Sequence, residues 1–266
     1  MHSFFKDKDP QRPLVLSFHG TTGTGKNHVS RLIAESIYKK GLESQYVHLK
    51  IPTKDYPYES ELKAYKETLQ NEIQSSVSQC PRQLFILDEV ENFPAGLIDV
   101  IKPYIDYHGK VEGVDYRQSI FIFLSNVGGR EITKILMEHN STRKSLRIND
   151  FEQVLATAAY NTKGGFRHSR LMDSHLIGHY IPFLPLEREH VELCIEEEII
   201  KMGLPPLSEE TVAKVIDELQ FRPEDTQRFA VKGCKNVREK LNLYVYKQHY
   251  SRSKKDEPET KRSDEL

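Results

Sequence analysis

The amino-acid sequence predicts an α/β fold in which helices flank a parallel five-stranded sheet, with a small C-terminal helical lid domain after it. Short runs that are apolar at almost every position alternate with amphipathic stretches up to about residue 186. Such strands are typical of a parallel sheet covered on both faces, because neither face meets water. From residue 187 onward we expect helices only, which places the domain boundary near Leu186.

The elements follow one another at the spacing of repeated strand–helix units. We expect strands at 14–19, 46–51, 84–87, 119–126 and 180–186. We expect helices at 26–40, 59–79 and 96–107, two more within 131–160, and then helices at 187–201, 208–220 and 233–247. The α/β domain is therefore predicted to cover residues 1–186 and the lid residues 187–247, and the charged stretch 248–266 is expected to be disordered.

Composition and charge exclude several classes of protein. The 266 residues are 38% apolar and 29% charged, which is typical of a globular chain. Lysine and arginine number 38 against 39 acidic residues, so no net positive field would attract nucleic acid, and we expect no nucleic-acid partner. Three cysteines are too few for a disulfide scaffold. No apolar run is long enough for a membrane-spanning helix, and the first residues lack the hydrophobic core of a signal peptide.

A glycine-rich turn between the first strand and the first helix indicates a phosphate site. It consists of Gly20, Thr21, Thr22, Gly23, Thr24, Gly25, Lys26 and Asn27, and matches the spacing G-x-x-x-x-G-K. Backbone N–H groups of such a loop, with the positive end of the following helix, bind a β-phosphate. Lys26 would reach the β- and γ-phosphate oxygens. A chance match is the alternative, and the strand before and the helix after the loop favour a nucleoside triphosphate.

Three more polar residues follow strand ends, where ligands of such sheets bind. Asp88 follows the third strand and would hold Mg²⁺, together with Asn27, whose carbonyl oxygen replaces the usual serine or threonine hydroxyl. Glu89 could orient or deprotonate the water that attacks the γ-phosphate, and Asn126 could hold the same water. The alternatives are a solvated strand exit for the acidic pair and a simple turn residue for Asn126.

This set of residues resembles the AAA+ ATPases, and more closely the torsin family. The similarity runs from about residue 12 to 246 and is carried by the stretches 20–27, 95–103, 121–126, 165–169, 182–186 and 232–235. Asn27 at the end of the loop and Gly-Cys-Lys at 233–235 are the most specific marks. The resemblance implies an AAA+ P-loop NTPase fold and an ATPase that uses ATP and Mg²⁺. It further implies a location in the endoplasmic reticulum lumen or nuclear envelope, where torsins remodel protein or membrane assemblies.

The resemblance also assigns roles in the lid. It implies that Lys235 contacts the γ-phosphate as a second sensor, and that Cys194 and Cys234 form a disulfide. The alternative for the two cysteines is a pair of buried free thiols. Cys80 has no evident partner and is expected to be a buried apolar filler.

The resemblance further implies an enzyme that depends on an activating partner. In AAA+ rings, each active site usually receives an arginine from the neighbouring subunit. Torsins lack this arginine, and the resemblance implies that a membrane-anchored partner supplies it from its luminal domain. Asp173 stands at the expected arginine position, and Arg167 and Arg170 nearby are expected to have surface roles. We therefore expect weak activity alone, an activating partner of this kind, and a homo- or hetero-oligomer.

Signals for location disagree with one another. The chain ends in Ser263-Asp-Glu-Leu266, one residue away from the Lys-Asp-Glu-Leu retrieval tail, and Asn140 begins a glycosylation acceptor. The resemblance implies that the sequence is N-terminally shortened, since we expect it to begin just before the first strand, without the leader, the hydrophobic segment and the adenine-covering helix of torsins. Thr21 also stands where torsins usually have tryptophan.

Three other functions compete with a torsin-like ATPase. A non-hydrolysing, ATP-dependent interaction module is favoured by Asn27 and the missing arginine, whereas Glu89 argues against it. A small-molecule kinase would need an arginine-rich lid, which residues 187–247 do not provide. Substrate threading would need an aromatic loop after the second strand, and the two tyrosines of Lys54-Asp-Tyr-Pro-Tyr58 could instead be packing residues.

Overall fold

The computed structural model describes residues 9–138 and 143–244, together with Phe4 and Asp7. The chain forms two compact units that divide between Leu184 and Pro185, two residues before the predicted boundary. The glycosylation acceptor at Asn140 and the charged stretch 248–266 lie outside the described residues.

The first unit is built on a parallel sheet, which confirms the predicted fold class. Its strands are β1 (Leu14–His19), β2 (Val47–Lys50), β3 (Leu84–Leu87), β4 (Ile120–Ser125) and β5 (His179–Pro182). They are arranged in the order β2-β3-β4-β1-β5, and every neighbouring pair is parallel. Every residue of β3 and β4 is buried, as expected for strands with helices on both sides.

The predicted helices of the first unit are present with shifted bounds, and two one-turn helices, at 52–55 and 170–173, were not predicted. They are α1 (Lys26–Ile37), α2 (Pro52–Asp55), α3 (Leu62–Gln79), α4 (Lys102–Ile105), α5 (Gly129–Glu138), α6 (Asn149–Asn161) and α7 (Arg170–Asp173). The expected helix 96–107 is a 3₁₀ turn, Ile98–Ile101, that continues into one turn of α4. The expected strand 180–186 instead begins at His179 and ends at Pro182.

The core of this unit lies on both faces of the sheet. On β4 the side chains of Phe121 and Phe123 pack on one face, with α3, α5 and α6, and those of Ile122 and Leu124 pack on the other, with α1. Phe85 of β3 stacks on Phe121 with ring centres 4.9 Å apart. This packing holds the carboxyl ends of β1, β3 and β4 side by side.

The second unit contains α8 (Arg188–Lys201), α9 (Glu209–Asp217) and a helical stretch at 237–244. The expectation of helices only was wrong in one respect. Strands β6 (Phe221–Arg222) and β7 (Phe229–Ala230) form an antiparallel ribbon between the helices. Pro223 favours extended backbone over helix here, because proline lacks the N–H that a helix needs and restricts the residue before it to extended backbone.

In the described residues, no helix combines the length and apolar character that crossing a bilayer requires.

Candidate nucleotide-binding site

Three adjacent strands deliver the predicted site residues to one edge of the sheet. The glycine-rich loop follows β1, Asp88 follows β3, and Asn126 follows β4, which lies between the other two. Because the strands are parallel, their carboxyl ends meet at the same edge. The structure therefore brings the loop, Asp88 and Asn126 together, although they are separated along the chain.

The loop leaves the start of α1 open. Gly25 caps the helix with left-handed backbone, φ 99°, and among the described residues no side chain caps the first turn by a hydrogen bond. A Cβ built on Gly25 would meet no atom within 4 Å, whereas one on Gly20 would lie 2.5 Å from the Phe183 carbonyl oxygen. Unpaired N–H groups at a helix start attract anions. The open side of this loop therefore fits a phosphate group.

Lys26 is buried at the centre of the site, with 6% of its surface exposed. Its Nζ donates to the carbonyl oxygens of Gly20 at 2.7 Å and Thr21 at 3.0 Å, and to Asn126 Oδ1 at 2.9 Å. Burial lowers the pKa of Lys26 to about 8, and the nearby carboxylates, Glu91 first, oppose that shift. A protonated amine near neutral pH is what a triphosphate requires.

Asp88 and Asn27 form a hydrogen-bonded pair. Asp88 Oδ2 accepts from Asn27 Nδ2 at 2.6 Å, and Asp88 Oδ1 accepts from the Glu89 backbone N–H at 2.9 Å. Burial raises the pKa of Asp88, and these two bonds oppose the shift. Carboxylate and amide oxygens are the donors that Mg²⁺ prefers, so the residues fit this cation. Asn27 here donates to the predicted ligand, and its own metal contact stays a prediction.

Glu89 and Asn126 are each held by a neighbour that the sequence did not reveal. Glu89 adopts left-handed backbone, φ 53°, and its Oε2 accepts from Asn92 Nδ2 at 3.1 Å. Asn126 Nδ2 donates to Glu91 Oε1 at 2.8 Å. Glu91 and Asn92 belong to the 3₁₀ turn Val90–Asn92 after β3. The only signal was a second acidic residue two positions after Glu89.

The remaining predicted residues have mixed outcomes. Cys194 and Cys234 are joined by a disulfide within the second unit, with Cα atoms 6.0 Å apart. Lys235, next to this bridge, is exposed, and its role as a sensor stays a prediction. Cys80 is free and only half-buried, so it is not the buried filler that was expected.

The structure also shows the surroundings of the two arginines near Asp173 and of the two tyrosines after the second strand. Arg167 and Arg170 are both exposed. Tyr56 is buried and packs against other aromatic rings, the closest 5.2 Å away between ring centres, whereas Tyr58 is 62% exposed. The first tyrosine is therefore a packing residue, as the alternative interpretation held.

His19, directly before the loop, is fully buried and links β1 to the end of β4. Its Nδ1–H donates to the Val127 carbonyl oxygen at 3.1 Å, and its Nε2 accepts from the Ser17 hydroxyl at 2.7 Å. Burial lowers the pKa of His19 to about 4. The ring is therefore neutral in the folded protein at any pH near neutrality.

Acid is expected to destabilise the protein through His19. Unfolding returns its pKa to 6.5, so the stability contribution is complete above pH 6.5 and is lost as the pH falls toward 4. Between pH 7 and pH 5 this loss amounts to about 2 kcal/mol. Urea unfolding of the wild type and His19→Gln at both pH values measures it. Equal losses in the two proteins would contradict the assignment.

Comparison with known proteins supports the same family over the two ends of the chain. The family model described as Torsin matches residues 1–87, and the one described as Torsin-1A, C-terminal domain, matches residues 186–244. A Torsin-like protein of Caenorhabditis elegans is 42% identical over 250 residues, which cover 92% of this chain and 70% of the relative. A Torsin-like protein of Drosophila melanogaster is 38% identical over 242 residues, covering 89% of this chain and 71% of the relative.

Solved structures of yeast Hsp104 share the fold. The Saccharomyces cerevisiae Hsp104–casein complex in its extended conformation matches with a TM-score of 0.61 and 14% identity, covering 93% of this chain and 42% of that chain. The Hsp104–ADP complex matches with a TM-score of 0.58 and 15% identity, covering 94% of this chain and 43% of that chain. This chain thus spans little more than two fifths of the Hsp104 chains, and at this identity the likeness shows the AAA+ fold alone. Taken with the closer relatives, it shows that the chain belongs to the torsin family of AAA+ proteins.

Proposed function

We propose that this chain is an ATPase that binds ATP with Mg²⁺ and hydrolyses it weakly alone and efficiently with an activating partner. The observation that carries the proposal is the meeting of Lys26, Asp88 and Asn126 beside the uncapped start of α1. A buried cation, a carboxylate and an amide at an open helix start are the groups that phosphoryl transfer needs.

Each residue has a role in this proposal. When bound, Mg²⁺ supplies charge neutralisation at the phosphates, and Asp88 is placed to hold it with Asn27 beside it. Lys26 grips the β- and γ-phosphates by exchanging one of its three present acceptors for a phosphate oxygen. Glu89 orients or deprotonates the attacking water, and Asn126 holds the same water.

A membrane-anchored partner with a luminal domain is proposed to supply the missing arginine. The exposure of Arg167 and Arg170 supports surface roles for them. Asp173, at the expected arginine position, lies in α7. Assembly with such a partner, or into a homo- or hetero-oligomer, would complete the site with a cation.

Lys235 is proposed to report the γ-phosphate from the second unit. The disulfide between Cys194 and Cys234 ties α8 to the residue beside Lys235. Breaking this bond would loosen the turn that carries Lys235, so the response to ATP would depend on the redox state.

The proposed output is remodelling of protein or membrane assemblies in the endoplasmic reticulum lumen or nuclear envelope. Family membership and the acceptor sequence at Asn140 support this location. A structural disulfide is also typical of an oxidising compartment.

A non-hydrolysing interaction module is the second candidate. One observation favours it: Glu89 accepts a hydrogen bond from Asn92 and Asn27 is engaged with Asp88, so both groups are occupied.

Single-turnover hydrolysis separates the two candidates. Radiolabelled ATP is followed with the chain alone, with the luminal domain of a membrane-anchored torsin activator, and with Glu89→Gln as control. We expect acceleration by at least about tenfold with the activator, and none in the control. ATP binding without acceleration would favour the module, and absence of ATP binding would exclude both.

A further inference from the structure

We propose that Glu91 is a positioning residue that fixes the orientation of the Asn126 amide and thereby the ability of the site to distinguish ATP from ADP. The inference rests on the proposed function, because it assigns Asn126 to the γ-phosphate and its water. Glu91 itself touches neither in this proposal, and it acts through Asn126.

The carboxylate of Glu91 collects donors from the end of β4. Its Oε1 accepts from the Asn126 backbone N–H at 3.1 Å and from Asn126 Nδ2 at 2.8 Å. Its Oε2 accepts from the hydroxyl of Ser125, a fully buried residue, at 2.9 Å. Hydrogen bonds to a charged acceptor are the stronger kind, so this one side chain holds both the backbone and the amide of Asn126.

The two ends of the Asn126 amide face opposite charges. Oδ1 accepts from the ammonium of Lys26 at 2.9 Å, and Nδ2 donates to the carboxylate of Glu91. Turning the amide over would set N–H against ammonium and carbonyl against carboxylate, and both contacts would become repulsive. The pair Lys26 and Glu91 therefore permits one orientation of Asn126.

In this proposal, nucleotide binding changes the contacts of Lys26 and leaves those of Glu91 as they are. The three N–H donors of Lys26 match its three acceptors, namely two loop carbonyls and Asn126. A phosphate oxygen can take Lys26 only by displacing one of them. If the displaced acceptor is Asn126, Glu91 alone keeps the amide in place, with one N–H bound and the other available for the γ-phosphate or its water.

The turn that carries Glu91 is fixed by contacts with the backbone at residues 164–165. Val90 is fully buried, and its carbonyl oxygen accepts from the Gly165 backbone N–H at 3.2 Å. A Cβ on Gly164 would overlap the Glu91 carbonyl oxygen. Asn92 of the same turn donates to Glu89. The turn is therefore a fixed platform from which Glu91 reaches Asn126.

A double-mutant cycle tests the inference. Glu91→Ala, Asn126→Ala and the double variant are made in a Glu89→Gln background, so that ATP is not consumed. Equilibrium binding of fluorescent ATP and ADP analogues gives the affinity ratio of each protein. We expect each single variant to reduce the preference for ATP about tenfold, and the double variant to show the same tenfold loss rather than about a hundredfold.

Two further variants separate positioning from structure. Glu91→Gln keeps the size and one acceptor, so we expect it to recover part of the preference for ATP. Ser125→Ala removes the hydroxyl that donates to Glu91 and accepts from the Val127 backbone N–H, but it leaves both contacts of Glu91 with Asn126, so we expect it to keep most of the preference for ATP. Thermal unfolding without nucleotide reports folding, and the preference is compared only among variants that remain folded. If only Glu91→Ala unfolds, the Glu91→Gln and Asn126→Ala cycle takes its place.

The outcomes distinguish this inference from the proposed function. If the parent binds ATP and ADP but the losses from Glu91→Ala and Asn126→Ala multiply, Glu91 acts independently of Asn126 and the inference is overturned. An unchanged ATP preference in Glu91→Ala overturns it as well. If the parent binds neither nucleotide, the proposed function fails, and the inference fails with it.

Discussion

Lys26→Met is expected to weaken ATP binding by about a hundredfold or more. The substitution keeps most of the buried stem and removes the ammonium, which is the cation that the structure places inside the loop. Removing one partner of a buried charge pair costs about 2–5 kcal/mol, and each 1.4 kcal/mol is about tenfold in affinity. Titration of a fluorescent ATP analogue measures the dissociation constant directly.

Lys134→Met is the matched control for this experiment. Lys134 is 75% exposed and pairs with Glu138 at 3.6 Å on the surface of α5. Its loss should leave ATP affinity unchanged, because an exposed pair contributes little. If both variants bind ATP like the wild type, Lys26 does not contact the phosphates, and the glycine-rich loop is a structural turn.

Loss of the disulfide is expected to lower the free energy of unfolding of the second unit by roughly 4 kcal/mol. The bridge joins residues 40 positions apart, and the chain-entropy estimate for a loop of this length gives that figure. The core of this unit is small, with Val191, Ile195 and Val237 at its centre. A unit of this size has few other sources of stability. Denaturant unfolding of Cys194→Ala/Cys234→Ala against the oxidised wild type measures the difference.

Cys80→Ala is the control, because Cys80 is free and lies in the first unit. Reducing the wild type with dithiothreitol should reproduce the double variant, and Cys80→Ala should respond to the reductant as the wild type does. Hydrogen exchange of α8 locates the effect in the second unit. Equal stability of the oxidised wild type and the double variant would show that the bridge contributes nothing to this unit.

Local sequence patterns were sufficient to predict the strands β3 and β4 and the glycine-rich loop. The apolar runs of β3 and β4 and the spacing from Gly20 to Lys26 are short-range features, since a few consecutive residues specify them. Asp88 and Asn126 could also be placed near the loop, because parallel strands end at a common edge. The disulfide pairing came from the family resemblance, since three cysteines permit three pairings.

The hydrogen bonds that hold the site together were not predicted from the sequence. Glu91 reaches Asn126 across 35 positions, and Asn27 reaches Asp88 across 61. The break that forms β6 and β7 inside the second unit was missed as well, although Pro223 was a local signal for it.

The sequence alone thus determined the class of fold, the phosphate loop and the strand ends that carry polar residues, because periodicity and turn chemistry are local. Only the tertiary structure decided the order β2-β3-β4-β1-β5, the burial of His19 and Lys26, and the direction in which the Asn126 amide faces. These depend on which side chains packing brings within about 3 Å of one another, and hydrogen bonds at that range have no linear pattern.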